Sequence, residues 1–514
     1  MQLSKKTIKE ISPKKGLTIP DERMFVLPEK VLQFGTGVLL RGLPDYFIDK
    51  ANRQDIFNGR IVMVKSTPGG GTEGFHKQDG LFTLCIRGIE KGNTIEENII
   101  NSSISRVLSA ASDWNEILQC AANPDMQVII SNTTEVGIVL DIEDDPDASP
   151  PRSFPAKLLA FLYKRYRIFN ADPGKGMVII PTELITDNGK KLETIIEQLA
   201  HHHNLDNAFK NWLKSANYFC NSLVDRIVPG KLPPAMQSKV EKELGYTDEL
   251  MIMSEVYRLW AIESDKKKVQ EILSFSEAGD DGVIITQDIN VYRELKLRLL
   301  NGSHTFSCGL AHLAGFETVK EAMNDDGFSS YITQLMMQEI APAIANKIIS
   351  LKTAREFAGM VLDRYRNPHI EHQWLSITMQ YSSKMKMRSI PVIQNYLDCF
   401  AAVPGCITVG LAAHLLFMKC EQADNGKYYG EANGKKYLVN DDNAKWYAEK
   451  WKKSNNTAQL VMNIFGEEPF WGINLNSDNG FINAITSKLQ QLTDSGAKAA
   501  IHEIIHPAKP IESK

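Results

Sequence analysis

Lys30-Val-Leu-Gln-Phe-Gly-Thr-Gly-Val-Leu-Leu-Arg-Gly42 decides how the first half of the chain is read. An apolar run leads into Gly35-Thr-Gly37 and then into an apolar stretch of helical spacing that ends near Asn52. Strand, glycine turn and helix in that order leave backbone N–H groups pointing out of a helix start. A pyrophosphate is held there by its charge, and the missing Cβ atoms let it approach. The candidate contacts are Gln33, Phe34, Gly35, Thr36, Gly37, Val38 and Leu39. The next glycine, Gly42, comes later than a Gly-x-Gly-x-x-Gly pattern requires, and an ordinary tight βα turn would carry the same residues. After the second apolar run the chain reads Lys65-Ser66-Thr67-Pro68, with no acid to grip an adenosine ribose, so these residues do not separate NAD from NADP.

Working outward, β-branched runs at 31–34, 61–64, 128–131, 178–180 and 283–286 recur between helical patterns at 113–122 and 155–169. That alternation predicts an α/β fold with a mostly parallel sheet over residues 1–290. From Val291 the pattern turns to long helical stretches at 291–313, 317–323, 328–349, 354–365 and from Ile370 onward, with Pro342 expected to kink its helix, so residues 291–514 read as mainly α-helical. One exception is 427–439, where Asn433-Gly434 separates two strand candidates, as in a hairpin. No flexible linker marks the boundary near residue 290, so two tightly packed domains with a cleft between them are expected.

The chain has 514 residues, 58 basic against 62 acidic side chains, a formal net charge of −4 and 43% hydrophobic residues. Disordered, fibrous and disulfide-scaffold classes do not fit, and a chain without basic excess gives no handle on nucleic acid or an anionic membrane. The expected partner is a small molecule. Seven scattered cysteines without Cys-x-x-Cys point to a reduced, cytoplasmic setting. The N-terminal charges are followed by no apolar region, and the longest apolar stretch, 406–418, contains His414 and is too short to span a bilayer, so neither an export signal nor a membrane span is expected.

A second stretch, Tyr292-Arg-Glu-Leu-Lys-Leu-Arg-Leu-Leu-Asn-Gly-Ser-His-Thr305, carries the candidate chemistry. On a regular helix at about 100° per residue, with Lys296 at zero, Arg293 falls near 60°, His304 near 80° and Asn301 near 140°. A lysine that exchanges a hydroxyl proton, beside an amide and an imidazole that hydrogen bond a developing oxyanion, suits oxidation of a secondary alcohol or reduction of a ketone. A solvated polar face with a capping Asn-Gly would place the same residue types there. His201-His202-His203 and the pair His369/His372 read as surface histidines, since no carboxylate or thiolate completes a ligand spacing; no metal is expected. Cys308 reads as a packed residue rather than a nucleophile.

Gly35-Thr-Gly37 with Arg41, then Lys296-x4-Asn301-x2-His304, resembles the long-chain mannitol dehydrogenase family of polyol dehydrogenases and hexuronate reductases. Supporting stretches run in order along the chain: 79–83, Ser131-Asn-Thr-Thr-Glu-Val-Gly-Ile138, 180–185, Cys220-Asn-Ser-Leu-Val-Asp-Arg-Ile-Val228, 243–246 and 364–373. The resemblance implies an N-terminal Rossmann-type domain, a mainly helical C-terminal domain, NAD as cofactor and no catalytic metal. It implies Lys296 as general acid/base and Asn301 and His304 on the reacting oxygen. Asp225 and Lys384 would line the substrate pocket, and Asn132 and Thr133 would join the cofactor site. Three departures matter. Polyol enzymes carry an oxyanion asparagine where this chain has Thr182-Glu183-Leu184, which leaves the role to Asn301 and His304 or to nearby Asn188. An arginine, Arg293, replaces a glutamate before the lysine, and Ser376 aligns with a pocket arginine. Losing an acid and gaining a base suits a substrate carboxylate. The implied reaction is NADH-dependent reduction of the hexuronate D-tagaturonate to D-altronate. Fructuronate reduction and mannitol-type oxidation are the alternatives, and a catalytically silent nucleotide sensor is the non-enzyme rival. Oligomeric state is not readable from the sequence.

Overall fold

A computed structural model describes residues 1–66, 69, 71–133 and 137–506. Thr67 and Pro68 of the Lys65-Ser66-Thr67-Pro68 reading, and residues 134–136 of the Ser131 to Ile138 motif, lie outside the described residues. The chain divides into two compact units, Met1–Gly88 with Thr94–Asn290, and Ile89–Asn93 with the segment from Val291 onward.

In the first unit six strands form one sheet in the spatial order Ile104–Ser109, Arg60–Lys65, Glu29–Phe34, Val128–Ser131, Val178–Pro181, Tyr218–Phe219. Every neighbouring pair is parallel. Numbered along the chain this is 3-2-1-4-5-6, the doubly wound Rossmann-type order. Successive side chains of a strand face opposite sides. Val31 accordingly packs into one apolar core with Met63 and Ile130, and Leu32 and Phe34 pack into another with Val62 and Ile129. Burial on both faces explains why these strands read as continuous apolar runs.

Four of the five expected strands lie in this sheet; the fifth does not. Val283–Thr286 pairs with Leu259–Glu263 in a separate sheet of three strands, with Ser222–Asp225 on the other side. A third sheet holds two nine-residue strands, Phe82–Glu90 and Asn93–Asn101, which the periodicity reading passes over.

The second unit is mainly helical, and three of its helices contain π-helical stretches: Lys296–Gly302, Leu335–Ile340 and Met385–Ser389. Two of these stand just ahead of a proline. Pro342 follows Leu335–Ile340 and Pro391 follows Met385–Ser389. A proline inside a helix has no N–H to give and its ring crowds the carbonyl four residues earlier, and a wider turn there relieves the crowding. The helix expected to kink at Pro342 therefore runs Asp326–Gln334, Leu335–Ile340, Ala341–Ile344 with a widened middle. Tyr428–Ala432 and Lys435–Leu438 form the expected antiparallel hairpin, with Asn433 at φ 52° and Gly434 at φ 72° in its turn.

Gly405–Phe417 is buried along nearly its whole length and carries two ionisable groups, the Cys406 thiol, which burial pushes well up, and His414. His414 Nε2 lies 2.9 Å from the Tyr447 hydroxyl, and burial holds the imidazole neutral, down at about 3. The unfolded chain, with an ordinary histidine near 6.5, binds this proton more readily than the folded one. Stability from this group is therefore complete above pH 6.5 and falls as pH drops from there towards 3. A His414→Gln variant is expected to lose up to about 1.4 kcal/mol per pH unit of that acid-limb slope. Urea unfolding midpoints at pH 7.5, 6.5, 5.5 and 4.5 check it; parallel curves for both proteins would show that His414 carries no linkage.

Candidate active site

The first unit supplies one half of the residues singled out by sequence. Strands Glu29–Phe34 and Val128–Ser131 are neighbours whose connections leave in opposite directions, so a crevice opens at their carboxyl ends. Gly35-Thr-Gly37 follows the first strand and Asn132-Thr133 follows the second. Gly35 has φ 134°, and a Cβ on it would meet Leu40 Cδ1 at 2.8 Å and the Asn132 carbonyl oxygen at 3.0 Å. Only glycine fits that position. At Gly37, exposed at the helix start, a Cβ would meet none of the described residues beyond its chain neighbours within 4 Å. Thr36, Val38 and Leu39 are half-buried beside it, while Gln33 and Phe34 are wholly buried and can act only as its support.

The second crevice wall is braced by residues that sequence reading registered only as a departure. Glu183 is buried and accepts from Thr133 N at 2.9 Å, Thr133 Oγ1 at 3.0 Å and Ser131 Oγ at 3.1 Å. Burial raises its carboxyl above the ordinary value, and these donors work against the rise. Thr182 Oγ1 donates to the Ser131 carbonyl at 2.8 Å and Asn132 Nδ2 donates to Thr182 Oγ1 at 2.9 Å. Thr182-Glu183 thus fixes the Asn132-Thr133 loop. Asn188, weighed as a substitute oxyanion group, is excluded: its Nδ2 donates to the carbonyls of Pro181, Glu183 and Ser222, and its Oδ1 accepts from Gly189 N and Ser222 N. Asp225 is buried at the end of strand Ser222–Asp225, and the next residue, Arg226, donates to the Glu255 and Gly42 carbonyls.

The second unit supplies the other half, and here the regular-helix expectation fails. Residues 290–313 run as Asn290–Leu295 in α, Lys296–Gly302 in π and Ser303–Leu313 in α geometry. A π-helix takes about 4.4 residues per turn, about 82° each, so Lys296 and Asn301 stand about 50° apart rather than about 140°. Carrying the count on puts His304 about 30° to the other side of Lys296 and leaves Arg293 near 60°. The widened turn therefore gathers the named residues more closely than an α-helix would. Backbone carbonyls released by it find hydroxyl donors: Ser303 Oγ donates to the Leu299 and Leu300 carbonyls and Thr305 Oγ1 to the Asn301 carbonyl. Ser303 Oγ is also 2.8 Å from the Tyr365 hydroxyl. Lys296, Asn301 and Arg293 are half-buried, and the Asn301 amide makes no side-chain hydrogen bond among the described residues.

His304 is buried. Its ring stacks on Tyr365 at 4.2 Å and meets the edges of His372 at 5.2 Å and Trp374 at 5.8 Å. Burial, and then the charges of His372, Arg364, Arg388 and Lys384, push it well below the ordinary histidine value, so it is a neutral hydrogen-bonding group. His372 is accordingly not a surface histidine: it packs on His304, and burial followed by Lys384 and Arg364 lowers it too. His201 and His202 are exposed as expected. Lys384 is half-buried, with Nζ donating to the Ile377 carbonyl at 2.9 Å; its helical segment, Tyr381–Lys384, is fixed near its start by Ser382, whose N and Oγ are both held by Asp441 at 2.7 Å. Arg388 was missed by sequence reading, because it falls in no spaced motif, and His372 was singled out there only as a surface histidine.

Residues 29–273 match the mannitol dehydrogenase Rossmann domain and residues 288–493 the mannitol dehydrogenase C-terminal domain. Altronate oxidoreductase of Halalkalibacterium halodurans is 34% identical over 487 residues, covering 93% of this chain and 94% of that protein. The protein of the same name from an Escherichia coli strain is 35% identical over 485 residues, covering 93% and 97%. Among solved structures, Pseudomonas fluorescens mannitol 2-dehydrogenase covers 99% of this chain and 100% of its own at TM-score 0.65 and 22% identity. D-Sorbitol dehydrogenase covers 98% and 100% at TM-score 0.77 and 18% identity. At these identities the two structures speak for the fold, and the two domain matches with the full-length relatives establish that the chain belongs to the mannitol dehydrogenase family.

Proposed function

We propose that this protein is a nicotinamide-dependent oxidoreductase acting on the CH–OH group of a sugar acid, and that it reduces D-tagaturonate to D-altronate with NADH. The observation that carries the reading is the π-helical turn that gathers Lys296 and Asn301 beside the neutral, cation-ringed His304. Full-length relatives named altronate oxidoreductase support the same substrate class. The first unit has a cradle that fits a dinucleotide: a glycine with φ 134°, open space at Gly37, and the braced Asn132-Thr133 loop at the switch of strand order. Residues 1–290 are assigned to the cofactor and 291–514 to the substrate.

NADH, when bound, supplies the hydride. The chain's own groups act on the substrate oxygen. Lys296 Nζ gives a proton to that oxygen during reduction and takes it back in the reverse direction. The Asn301 amide and the imidazole N–H of His304 donate to the same oxygen, so the charge that develops there meets fixed dipoles instead of reorganising water. Because His304 is neutral in the fold, its role is hydrogen bonding and proton transfer belongs to the lysine. Asp225, Arg293 and Lys384 are assigned to the rest of the substrate, with cations suited to a carboxylate.

NADH oxidation is measured with D-tagaturonate, D-fructuronate and D-fructose, and repeated with NADPH. The expected result is the highest kcat/KM on tagaturonate with NADH. Preference for fructuronate or fructose would reassign the substrate, and no turnover with any of them would favour the silent nucleotide sensor.

A further inference from the structure

Arg388 lies against the proposed reaction centre with its guanidinium fork largely unused. Its Nη1 reaches Thr305 Oγ1, the neighbour of His304, at 3.4 Å. No carboxylate pairs with it among the described residues; burial lowers its basicity, and the groups that oppose this are Cys308 and Tyr365. Both of these stay protonated, the thiol pushed up to about 12 and the phenol well above its ordinary value. Among the described residues no anion thus compensates this positive charge.

The position of Arg388 is built. Pro391 cannot donate to the carbonyl of Met387, four residues earlier, and Arg298 Nη1 takes that carbonyl at 2.6 Å and the Arg388 carbonyl at 3.2 Å. Arg298 belongs to the π-helical turn that carries Lys296 and Asn301, so the two turns are fastened together. Lys384 precedes Arg388 by one turn on the same face. One hydrogen bond, to the Ile377 carbonyl, occupies one of its three donors. Two cations held side by side in a half-buried place repel each other, and that cost is recovered when an anion sits between them.

We infer that Lys384 and Arg388 together seat the carboxylate of the substrate, with the Arg388 fork selecting an acidic sugar over a neutral one. The inference rests on the hexuronate reading above and moves the main carboxylate contact from Arg293 to this pair. A planar fork matches a carboxylate in two parallel hydrogen bonds, which a lysine at 388 could not reproduce.

Initial rates are compared for the wild-type protein, R388A, R388K and R293A on D-tagaturonate and on a neutral ketohexose of the same chain length. R388A is expected to lose about ten- to a hundredfold in kcat/KM on the hexuronate, carried mainly by KM, and to stay within about threefold on the neutral ketose. R388K should fall between, and R293A should lose less than R388A. An equal loss on both substrates, or no loss on the hexuronate, overturns the carboxylate seat while the hexuronate reading stands. A wild-type protein that prefers the neutral ketose ends that reading, and the seat with it, before any variant is compared. Thermal midpoints close to wild type for both Arg388 variants exclude a folding defect as the cause of a substrate-selective loss.

Discussion

Lys296→Ala is expected to lower kcat by about two to four orders of magnitude while NADH binds as in the wild-type protein, the range that a positioned acid/base group contributes. The size of the effect follows from what else stands near the reacting oxygen. Asn301 and His304 can stabilise charge, but His304 is held neutral by burial and by the cations around it, so it cannot deliver the proton in place of the lysine. The loss should appear in kcat and in kcat/KM alike, because the interaction removed is one made in the transition state. Lys296→Arg should not rescue, since arginine keeps its proton. Stopped-flow single turnovers with saturating NADH, alongside fluorescence titration of NADH, separate the step from binding. Near-normal turnover in Lys296→Ala would remove this lysine from the chemistry, and a parallel collapse of NADH affinity would make it a cofactor-binding residue instead.

Much of the first unit could be read from the sequence because both faces of its sheet are covered. Strands such as Val128–Ser131 and Val178–Pro181 are buried on both sides, and their only polar residue, Ser131, comes at a strand end and leaves the apolar run unbroken. The same reasoning misassigned Val283–Thr286, whose composition is alike although it is half-exposed on the edge of a smaller sheet. Composition records burial and not the neighbour a strand pairs with. Phe82–Glu90 and Asn93–Asn101 escaped notice for another reason. Their turn is Lys91-Gly92, with both residues at positive φ, and lysine is not the residue that normally announces such a turn.

The candidate site was legible as a list of residues and not as a geometry. Arithmetic at 3.6 residues per turn separates Lys296 from Asn301, and no residue in Lys296–Gly302 announces the wider turn. At Leu335–Ile340 and Met385–Ser389 a signal does exist, since Pro342 and Pro391 stand inside otherwise helical patterns. A proline there can be read as a widened turn as well as a kink. The bracing role of Glu183 and the place of Arg388 could not be read for a common reason: each acts through contacts with residues distant in sequence, Ser131 and Thr133 in one case and Thr305 in the other.

Gly37→Val is expected to fold normally and to bind NADH at least about tenfold to a hundredfold more weakly, the worth of one charge-assisted hydrogen bond lost or lengthened. The two glycines of the turn make the test selective. Gly37 has φ −64° and ψ 156°, which valine adopts readily, and beyond its own chain neighbours none of the described residues lies within 4 Å of its would-be Cβ. A side chain placed there fills only the space through which a pyrophosphate would approach the backbone. Gly35 is the opposite case, because its φ of 134° and the Asn132 carbonyl at 3.0 Å oppose any side chain in the protein itself. Gly35→Val should therefore lower the thermal midpoint, and Gly37→Val should leave it unchanged. Calorimetric titration with NADH on Gly37→Val is the deciding measurement. Unchanged affinity in a protein that melts like the wild type would place the dinucleotide away from the Gly35-Thr-Gly37 turn. Weakened affinity with an unchanged midpoint cannot come from unfolding, and so ties the cofactor to the open side of the turn at the switch between Glu29–Phe34 and Val128–Ser131.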